Sequence, residues 1–219
     1  MGAELPPWFY KVWLSVNTVP LFKNEKKEAV RPTGIRNPLV RHFHKDVVAQ
    51  NRSSFIEYLE PEQLAMSVAG GGKLVFSICM LSEERRDFIV VKIDMKNAFN
   101  EVSRASVVEA LEQEPSLNHL VWHAAASLAP SSGLETGGCK WGSSSEGTAQ
   151  GDPLSAPYLN VAWQKFVREL NQTLSGSGGM AKFGMDDGYA VGPSEILFPA
   201  LEKFARNVEQ HCLLVRGTK

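Results

Sequence analysis

The chain has 219 residues, 43% of them hydrophobic and 21% charged, which is enough for one large or two small globular domains. Its three cysteines lie far apart and form no Cys-x-x-Cys pair, which argues against a disulfide scaffold or zinc knuckle and favours a reducing, intracellular compartment, nuclear or cytoplasmic. No apolar run approaches the roughly 20 residues of a membrane span, and the N-terminus lacks a basic leader, so we expect a soluble protein without a membrane partner.

The N-terminal part is predicted to be mainly helical. Residues 8–22 mix aromatic and aliphatic side chains and predict a helix that ends before Pro20. After the turn-forming RPTGIRNP, a helix is predicted through LVRHFHKDVVAQNRSSFIEYL. AGGGK predicts a glycine loop that lacks the rest of a phosphate-binding motif, and LVFSICMLSEER predicts a further helix.

The second part alternates strands and helices. DFIVVKID predicts a buried central strand that ends in Asp94. Helices are predicted for RASVVEALEQE and LNHLVWHAAASL, and a hairpin with a loop for GLETGGCKWGSSSEGTAQG. Asp152 and Pro153 are typical of the N-cap and first turn of a long helix. A strand, turn and strand follow around Asp186 and Asp187, then a helix over residues 195–211 and a short final strand, LLVRG. This order predicts an α+β layer, an antiparallel sheet with helices on one face.

The charge is unevenly distributed although the net charge is only −1. Residues 23–52 carry eight Lys or Arg side chains and three acidic ones, a local net charge of +5. A basic segment beside an acidic remainder suggests that a polyanion binds at one end and cations at the other. The alternative is a solvated basic helix face.

Three aspartates are predicted to meet at one edge of the sheet. Asp94 ends one strand, and Asp186 and Asp187 form the tip of a hairpin that we place beside it. Clustered carboxylates repel each other unless a divalent cation lies between them. Oxygen ligands without His or Cys favour Mg²⁺ or Mn²⁺, and we predict two ions. The alternatives are a helix N-cap for Asp94 and an ordinary hairpin turn for the Asp pair.

Three segments, VVKIDMKNAFN, EGTAQGDPLSAPYLNVAW and GMDDGYAV, resemble in order and spacing the catalytic blocks of the reverse transcriptase domain of non-LTR retrotransposons. PLFKNEKKEAVRPTGIRNPLVR is similar to the basic fingers segment of that family, and LLVRGTK to a later palm segment that carries a lysine. The resemblance covers nearly the whole chain. It implies a right-hand polymerase with fingers (residues 1–88) and palm (residues 89–219), with the thumb absent.

The resemblance also implies an activity and its partners. The chain would be an RNA-directed DNA polymerase, a nucleotidyltransferase that adds dNTPs to a primed RNA or DNA template. Asp94, Asp186 and Asp187 would be the catalytic and metal-binding residues. In two-metal phosphoryl transfer one ion activates the primer 3′-oxygen and the other steadies the leaving oxygen, with the ions about 3.5–4 Å apart.

Further residues are assigned through the same resemblance. Phe99 would exclude a ribose 2′-hydroxyl, with ordinary core packing as the alternative. The triphosphate and nearby template would be contacted by basic and glycine-turn residues, and a terminal lysine would protonate the leaving pyrophosphate. These residues are Arg31, Lys27, Arg36, Gln150 and Gly151 for nucleotide binding and Lys219 as the proton donor. Gly184 departs from the family, which usually has an aromatic residue there.

Two other functions are alternatives to polymerisation. A catalytically silent reverse-transcriptase-like domain from a decayed retroelement would act as a nucleic-acid-binding or scaffold module. A nucleotide cyclase on a similar palm fits less well, because such enzymes do not need the Gln-Gly-Asp-Pro arrangement of residues 150–153. The three aspartates favour the polymerase.

Overall fold

The computed structural model describes residues 6, 8–9, 13, 15–22, 30–67, 70–95, 97–128 and 132–211. The strands are β1 (Val16–Phe22), β2 (Val30–Arg36), β3 (Ile89–Asp94), β4 (Ser132–Thr136), β5 (Cys139–Ser144), β6 (Met180–Gly184) and β7 (Asp187–Gly192). The helices are α1 (Pro38–Leu59), α2 (Gly70–Glu84), α3 (Ala98–Glu101), α4 (Arg104–Gln113), α5 (Val121–Leu128), α6 (Ser155–Ser175) and α7 (Ser194–His211).

The strands form two separate sheets. The first has four strands in the order β2-β1-β4-β5, with β1 parallel to β4 and the other pairs antiparallel. The second has three antiparallel strands in the order β3-β7-β6. The predicted domain boundary at residue 88 stays a prediction, but the four-stranded sheet takes strands from both sides of it.

The core lies between α6 and the three-stranded sheet. Trp163 of α6 is fully buried and packs its ring edge-on against Phe183 of β6, at a centroid distance of 5.1 Å. Phe204 of α7 closes the cluster at 5.7 Å from Phe183. Burying one side chain of this size stabilises the fold by about 1.5–3 kcal/mol, so this aromatic group anchors the sheet to both helices.

The other face of the three-stranded sheet is covered by α2. Ile78 of α2 and Phe88 form a second buried cluster with Val191, and Tyr189 packs against it. Successive strand residues point to opposite faces, so Asp187, Tyr189 and Val191 share this face. We call it the α2 face. The prediction of helices on one face only is therefore wrong, because helices cover both.

Three predicted elements differ from the structure. The turn predicted at RPTGIRNP is wrong, because Val30–Arg36 form the strand β2. Residues 16–22 form β1 and pair antiparallel with β2 over their whole length, so the helix predicted across them is wrong. The helical pattern of this segment was overridden by its pairing with β2, and a single sequence does not show such pairing. The glycine loop is also wrong, since α2 begins at Gly70. The final strand LLVRG lies outside the described residues.

Most of the remaining predicted elements are confirmed. α1 begins at Pro38, and the Asn37 side chain accepts a hydrogen bond from the Leu39 amide. The β4–β5 hairpin, the β6–β7 hairpin and helices α4 to α7 lie where the sequence places them. β3 also lies where a strand is predicted, but it is an edge strand with Val90, Lys92 and Asp94 exposed, so the prediction of a buried central strand is wrong. Within the described residues, no helix is long and apolar enough to cross a membrane.

Gly188 provides a test of how tightly the hairpin packs. A Cβ atom added at Gly188 would lie 2.2 Å from the Phe183 ring, which the aromatic cluster holds in place. We expect Gly188→Ala to lower the free energy of unfolding by about 1–3 kcal/mol through overpacking. The matched control is Gly184→Ala in the paired strand, where the new Cβ would make an ordinary 3.5 Å contact with Leu74. Urea unfolding of the two variants measures the difference, and equal stabilities would contradict this packing.

Candidate active site

Two carboxylates face each other at the end of the three-stranded sheet. In β3, Val91 and Ile93 are buried in the core while Asp94 is exposed on the α2 face. The antiparallel register places Asp94 directly opposite Asp187 of β7. Directly opposed residues have Cβ atoms about 4.5–5.5 Å apart, so the side chains are neighbours on one face. Like charges in this arrangement destabilise the apo sheet.

The third carboxylate belongs to the tight turn between β6 and β7. Asp186 follows Met185 in this turn, and its carbonyl accepts a 3.3 Å hydrogen bond from the Met95 amide. Met185 has φ = +63°, which residues with a side chain rarely adopt. Local strain of this kind persists only where surrounding structure enforces it. The backbones of Asp94, Asp186 and Asp187 therefore meet at the same end of the sheet.

A lysine partly balances this negative charge. Lys92 lies two residues before Asp94 on the α2 face, and its Nζ is 3.3 Å from Asp187 Oδ1. The hydrogen bond to Asp187 raises the pKa of Lys92, and the charges of Asp187, Tyr189 and Asp94 act in the same direction. Both partners are exposed, so solvent screens the attraction.

The donor set suits a hard divalent cation. In the ranges that the structure describes, no group of three or more His, Cys, Asp or Glu side chains is gathered closely enough to hold a metal ion. The opposed Asp94 and Asp187 nevertheless supply oxygen ligands of the type Mg²⁺ prefers. The residues fit such an ion.

Two of the segments that resemble catalytic blocks, VVKIDMKNAFN and EGTAQGDPLSAPYLNVAW, are joined by hydrogen bonds beside this end of the sheet. The Phe99 carbonyl in α3 accepts a 2.6 Å hydrogen bond from the Thr148 amide and a 3.2 Å one from the Thr148 hydroxyl. The Phe99 side chain is half-buried and packs against the main core. The position of Phe99 is thus compatible both with core packing and with a contact to the sugar of a bound nucleotide.

The turn at Gln150 and Gly151 rests against β2. The Gly34 amide donates a 2.8 Å hydrogen bond to the Gln150 carbonyl. Gly151 has φ = +107°, and a Cβ there would lie 3.1 Å from the Gly34 carbonyl oxygen. Glycine is the residue that tolerates both this conformation and this close approach. Arg31 lies three residues before Gly34 in the same strand, and its backbone pairs with Leu21.

Arg36 does not lie on a basic surface. Its side chain is only 5% exposed, and Nε lies 2.7 Å from Asp152 Oδ2. This ion pair corrects two expectations, because the guanidinium is directed at a carboxylate of the same chain and is neither solvated nor free to reach a triphosphate. Lys27 and Lys219 lie outside the described residues.

The sequence pattern assigned Asp152 to a helix N-cap and did not show its partners in the folded chain. The long helix begins at Ser155 with Leu154 as its N-cap, so Asp152 is not the N-cap, although its Oδ1 accepts a hydrogen bond from the Leu154 amide. Its buried carboxylate also accepts hydrogen bonds from His44 Nδ1, 2.8 and 2.9 Å away. No local pattern signals a partner 108 residues distant.

Arg36 and His44 stabilise the negative charge of Asp152 in this buried group. Burial lowers the pKa of Arg36, an effect that the charge of Asp152 offsets in part. Burial alone would raise the pKa of Asp152, but the His44 hydrogen bond and the charges of His44 and Arg36 outweigh it and lower that pKa. Arginine stays protonated in proteins, so Arg36 and Asp152 form a true ion pair at neutral pH.

A second histidine extends the group. His123 Nδ1 lies 2.9 Å from the Tyr158 hydroxyl, and the His123 and His44 ring centroids are 5.1 Å apart. Burial, followed by the charges of His44 and Arg36, lowers the pKa of His123 to about 4. Burial also raises the pKa of Tyr158, so its hydroxyl keeps its proton. His123 is thus neutral in the folded protein.

Sequence comparisons give relatives for part of the chain. No protein-family model matches. The chain is 28% identical over 163 residues to the retrovirus-related Pol polyprotein from type-1 retrotransposable element R2 of Nasonia vitripennis, which covers 70% of this chain and 16% of the relative. It is 26% identical over 148 residues to the R2 polyprotein of Bradysia coprophila, covering 64% of this chain and 17% of that one. The resemblance to non-LTR retrotransposon proteins is confirmed, although the chain spans only a small part of these relatives.

Structural comparisons identify the fold. Telomerase from Candida albicans, in complex with a TWJ fragment of telomeric RNA, has a TM-score of 0.66 at 12% identity over 98% of this chain and 43% of that one. The corresponding complex from Candida tropicalis has a TM-score of 0.69 at 9% identity, over 94% and 41%. An RdRp complex has a TM-score of 0.63 at 14% identity, over 96% and 20%. The mixed helix-and-sheet fold thus resembles the fingers and palm of telomerase and polymerases.

The low pKa of His123 predicts a pH dependence of stability. Between its ordinary pKa of 6.5 and its folded value of about 4, the unfolded chain binds a proton that the folded chain does not. The free energy of unfolding should therefore fall as the pH drops through this window. His123→Gln should flatten that fall, whereas His42→Gln, at a side chain that is 78% exposed, should not. Thermal melts from pH 7 to pH 4 compare them, and parallel curves for wild type and His123→Gln would refute the assignment.

Proposed function

We propose that the chain is the fingers-and-palm part of an RNA-directed DNA polymerase that adds dNTPs to a primed template. The observation that carries this proposal is the register that sets Asp94 opposite Asp187, with Asp186 in the adjoining turn. Phosphoryl transfer with two metal ions needs carboxylates from separate segments at one point. The R2 relatives and the telomerase-like fold support the same reaction class.

Asp94, Asp186 and Asp187 would hold Mg²⁺ or Mn²⁺, two ions in the active complex. When bound, the ions would supply positive charge that activates the primer 3′-oxygen and stabilises the leaving pyrophosphate. Lys92 would hold Asp187 in the apo protein and limit the repulsion between the opposed carboxylates. The chain's own contribution is therefore to fix two carboxylates in register before any substrate arrives.

The nucleotide and template would lie between this carboxylate end and the Gln150–Gly151 turn. Phe99 would contact the sugar from α3, and Arg31, Lys27 and Lys219 would contribute positive charge around the triphosphate. The two Candida telomerases are in complex with RNA, which supports a nucleic acid as the partner of this chain. Arg36 is left out of the triphosphate contacts because it is buried against Asp152.

A silent nucleic-acid-binding module is the second candidate. Two observations favour it: Asp187 is paired with Lys92, and in the described part of the chain no three potential ligand side chains are gathered. A protein of this kind would bind primed template without a metal requirement. It would show no nucleotide addition under any metal condition.

Asp94→Asn separates the two candidates. We expect this variant to lose primer extension by at least about a hundredfold, because several kcal/mol of charge stabilisation would be lost. Without Mg²⁺ its melting temperature should be unchanged or raised, since the repulsion with Asp187 is relieved. Asp87→Asn, an exposed position just before β3, is the matched control and should retain activity. Extension by Asp94→Asn at the wild-type rate would contradict the proposal, and template binding without extension by the wild type would favour the silent module.

Phe99→Ala tests the contact with the sugar. If Phe99 excludes the 2′-hydroxyl, the variant should incorporate ribonucleotides at a clearly higher ratio to deoxynucleotides than the wild type. Phe166→Ala is the control, because Phe166 is buried in the same core and stacks on His211 at the end of α7. It should cost about 3–5 kcal/mol of stability without changing sugar preference. If both variants lose stability and neither changes the ratio, Phe99 is a core residue only.

A further inference from the structure

We infer that Arg36, His44 and Asp152 are positioning residues that hold the Gln150–Gly151 turn against β2. The inference rests on the proposed function, since the turn is where the nucleotide and template would lie. None of the three side chains is exposed enough to touch a substrate. They would act through the backbone of the turn.

The geometry places the cluster directly behind the turn. Asp152 follows Gly151 in the chain, and its carboxylate is 4% exposed. Arg36 lies two residues after Gly34, whose amide is bonded to the Gln150 carbonyl. The turn is thus attached to β2 twice, once by a backbone hydrogen bond and once by the Arg36–Asp152 ion pair.

His44 adds a third support from α1. It binds both oxygens of the Asp152 carboxylate through Nδ1 and is 1% exposed. β2, α1 and the segment before α6 therefore meet at one carboxylate. Several partners converging on one group restrict its position far more than a single contact does.

A buried ion pair is a poor way to gain stability alone. The cost of removing two charges from water often exceeds their attraction, and well-packed hydrophobic residues would serve stability equally well. What charged and hydrogen-bonded groups add is a fixed direction and distance. Reactions that depend on bound geometry lose rate or affinity when a supporting residue lets the site shift.

The two ring nitrogens of His44 differ in their contacts, which makes the inference testable. An ionised carboxylate only accepts hydrogen bonds, so His44 Nδ1 carries the hydrogen that is donated to Asp152. His44 Nε2 is buried and has no hydrogen-bond partner in the described residues. Only the donor at the Nδ1 position supports the turn. An Asn side chain places its amide nitrogen near that position, whereas Gln places it near Nε2.

The experiment compares His44→Asn with His44→Gln. His44→Asn should keep the dNTP KM within about twofold of wild type, whereas His44→Gln should raise it about tenfold with little change in kcat, the range seen when supporting residues of a site are lost. Hydrogen exchange should quicken in residues 147–154 and 33–36 of His44→Gln only. The β3 and β7 amides should stay protected in both variants. His42→Asn and His42→Gln, at the exposed position on the same helix, are the matched controls and should match wild type.

The outcomes separate this inference from the proposed function. Equal effects of Asn and Gln at position 44, or unchanged exchange in the turn, would show that the cluster is core packing and refute the inference. If His44→Gln does not fold, Asp152→Asn replaces it: loosening confined to the turn supports positioning, and uniform loosening that includes β3 and β7 contradicts it. A wild-type chain without extension activity would refute the proposed function alone, because the exchange comparison needs no turnover.

Discussion

The pairing register of β3 with β7 is the constraint on which the candidate site depends. Side chains alternate between the two faces of a strand, so a slip of one residue would turn Asp94 into the core and bring Ile93 out. The aromatic packing of Phe183 against Trp163 and the bare Gly188 beneath its ring oppose such a slip. Packing in the apolar core thus determines where the carboxylates of the candidate site lie.

The rest of the candidate site is assembled from segments far apart in the chain. Thr148 ties the second sequence block to Phe99 of the first, and Gly34 ties β2 to Gln150. Each link uses backbone groups, so it does not depend on the identity of an exposed side chain. This arrangement leaves surface residues around the site free to vary while the relative placement of the blocks stays fixed.

The sequence predicted those parts of the structure that depend on local pattern. The β-branched run of β3, the β6–β7 hairpin and the long helix α6 each carry their own signal in periodicity or turn residues. β1 was missed because its conformation comes from pairing with β2 and β4, and the glycines at the start of α2 looked like a loop. The role of Asp152 could not be found either. Its partners His44 and Arg36 are brought to it only by the folded chain.

The parallel contact between β1 and β4 has a consequence for dissecting the protein. Val16 and Asn17 pair with Leu134 and Glu135, so the N-terminal segment occupies one edge of the β4–β5 hairpin. A fragment that began after residue 88 would leave that edge with unpaired amide and carbonyl groups. Bare edges of this kind recruit strands from other molecules and promote aggregation. The N-terminal strand therefore covers an edge that a fragment of the C-terminal part alone would expose.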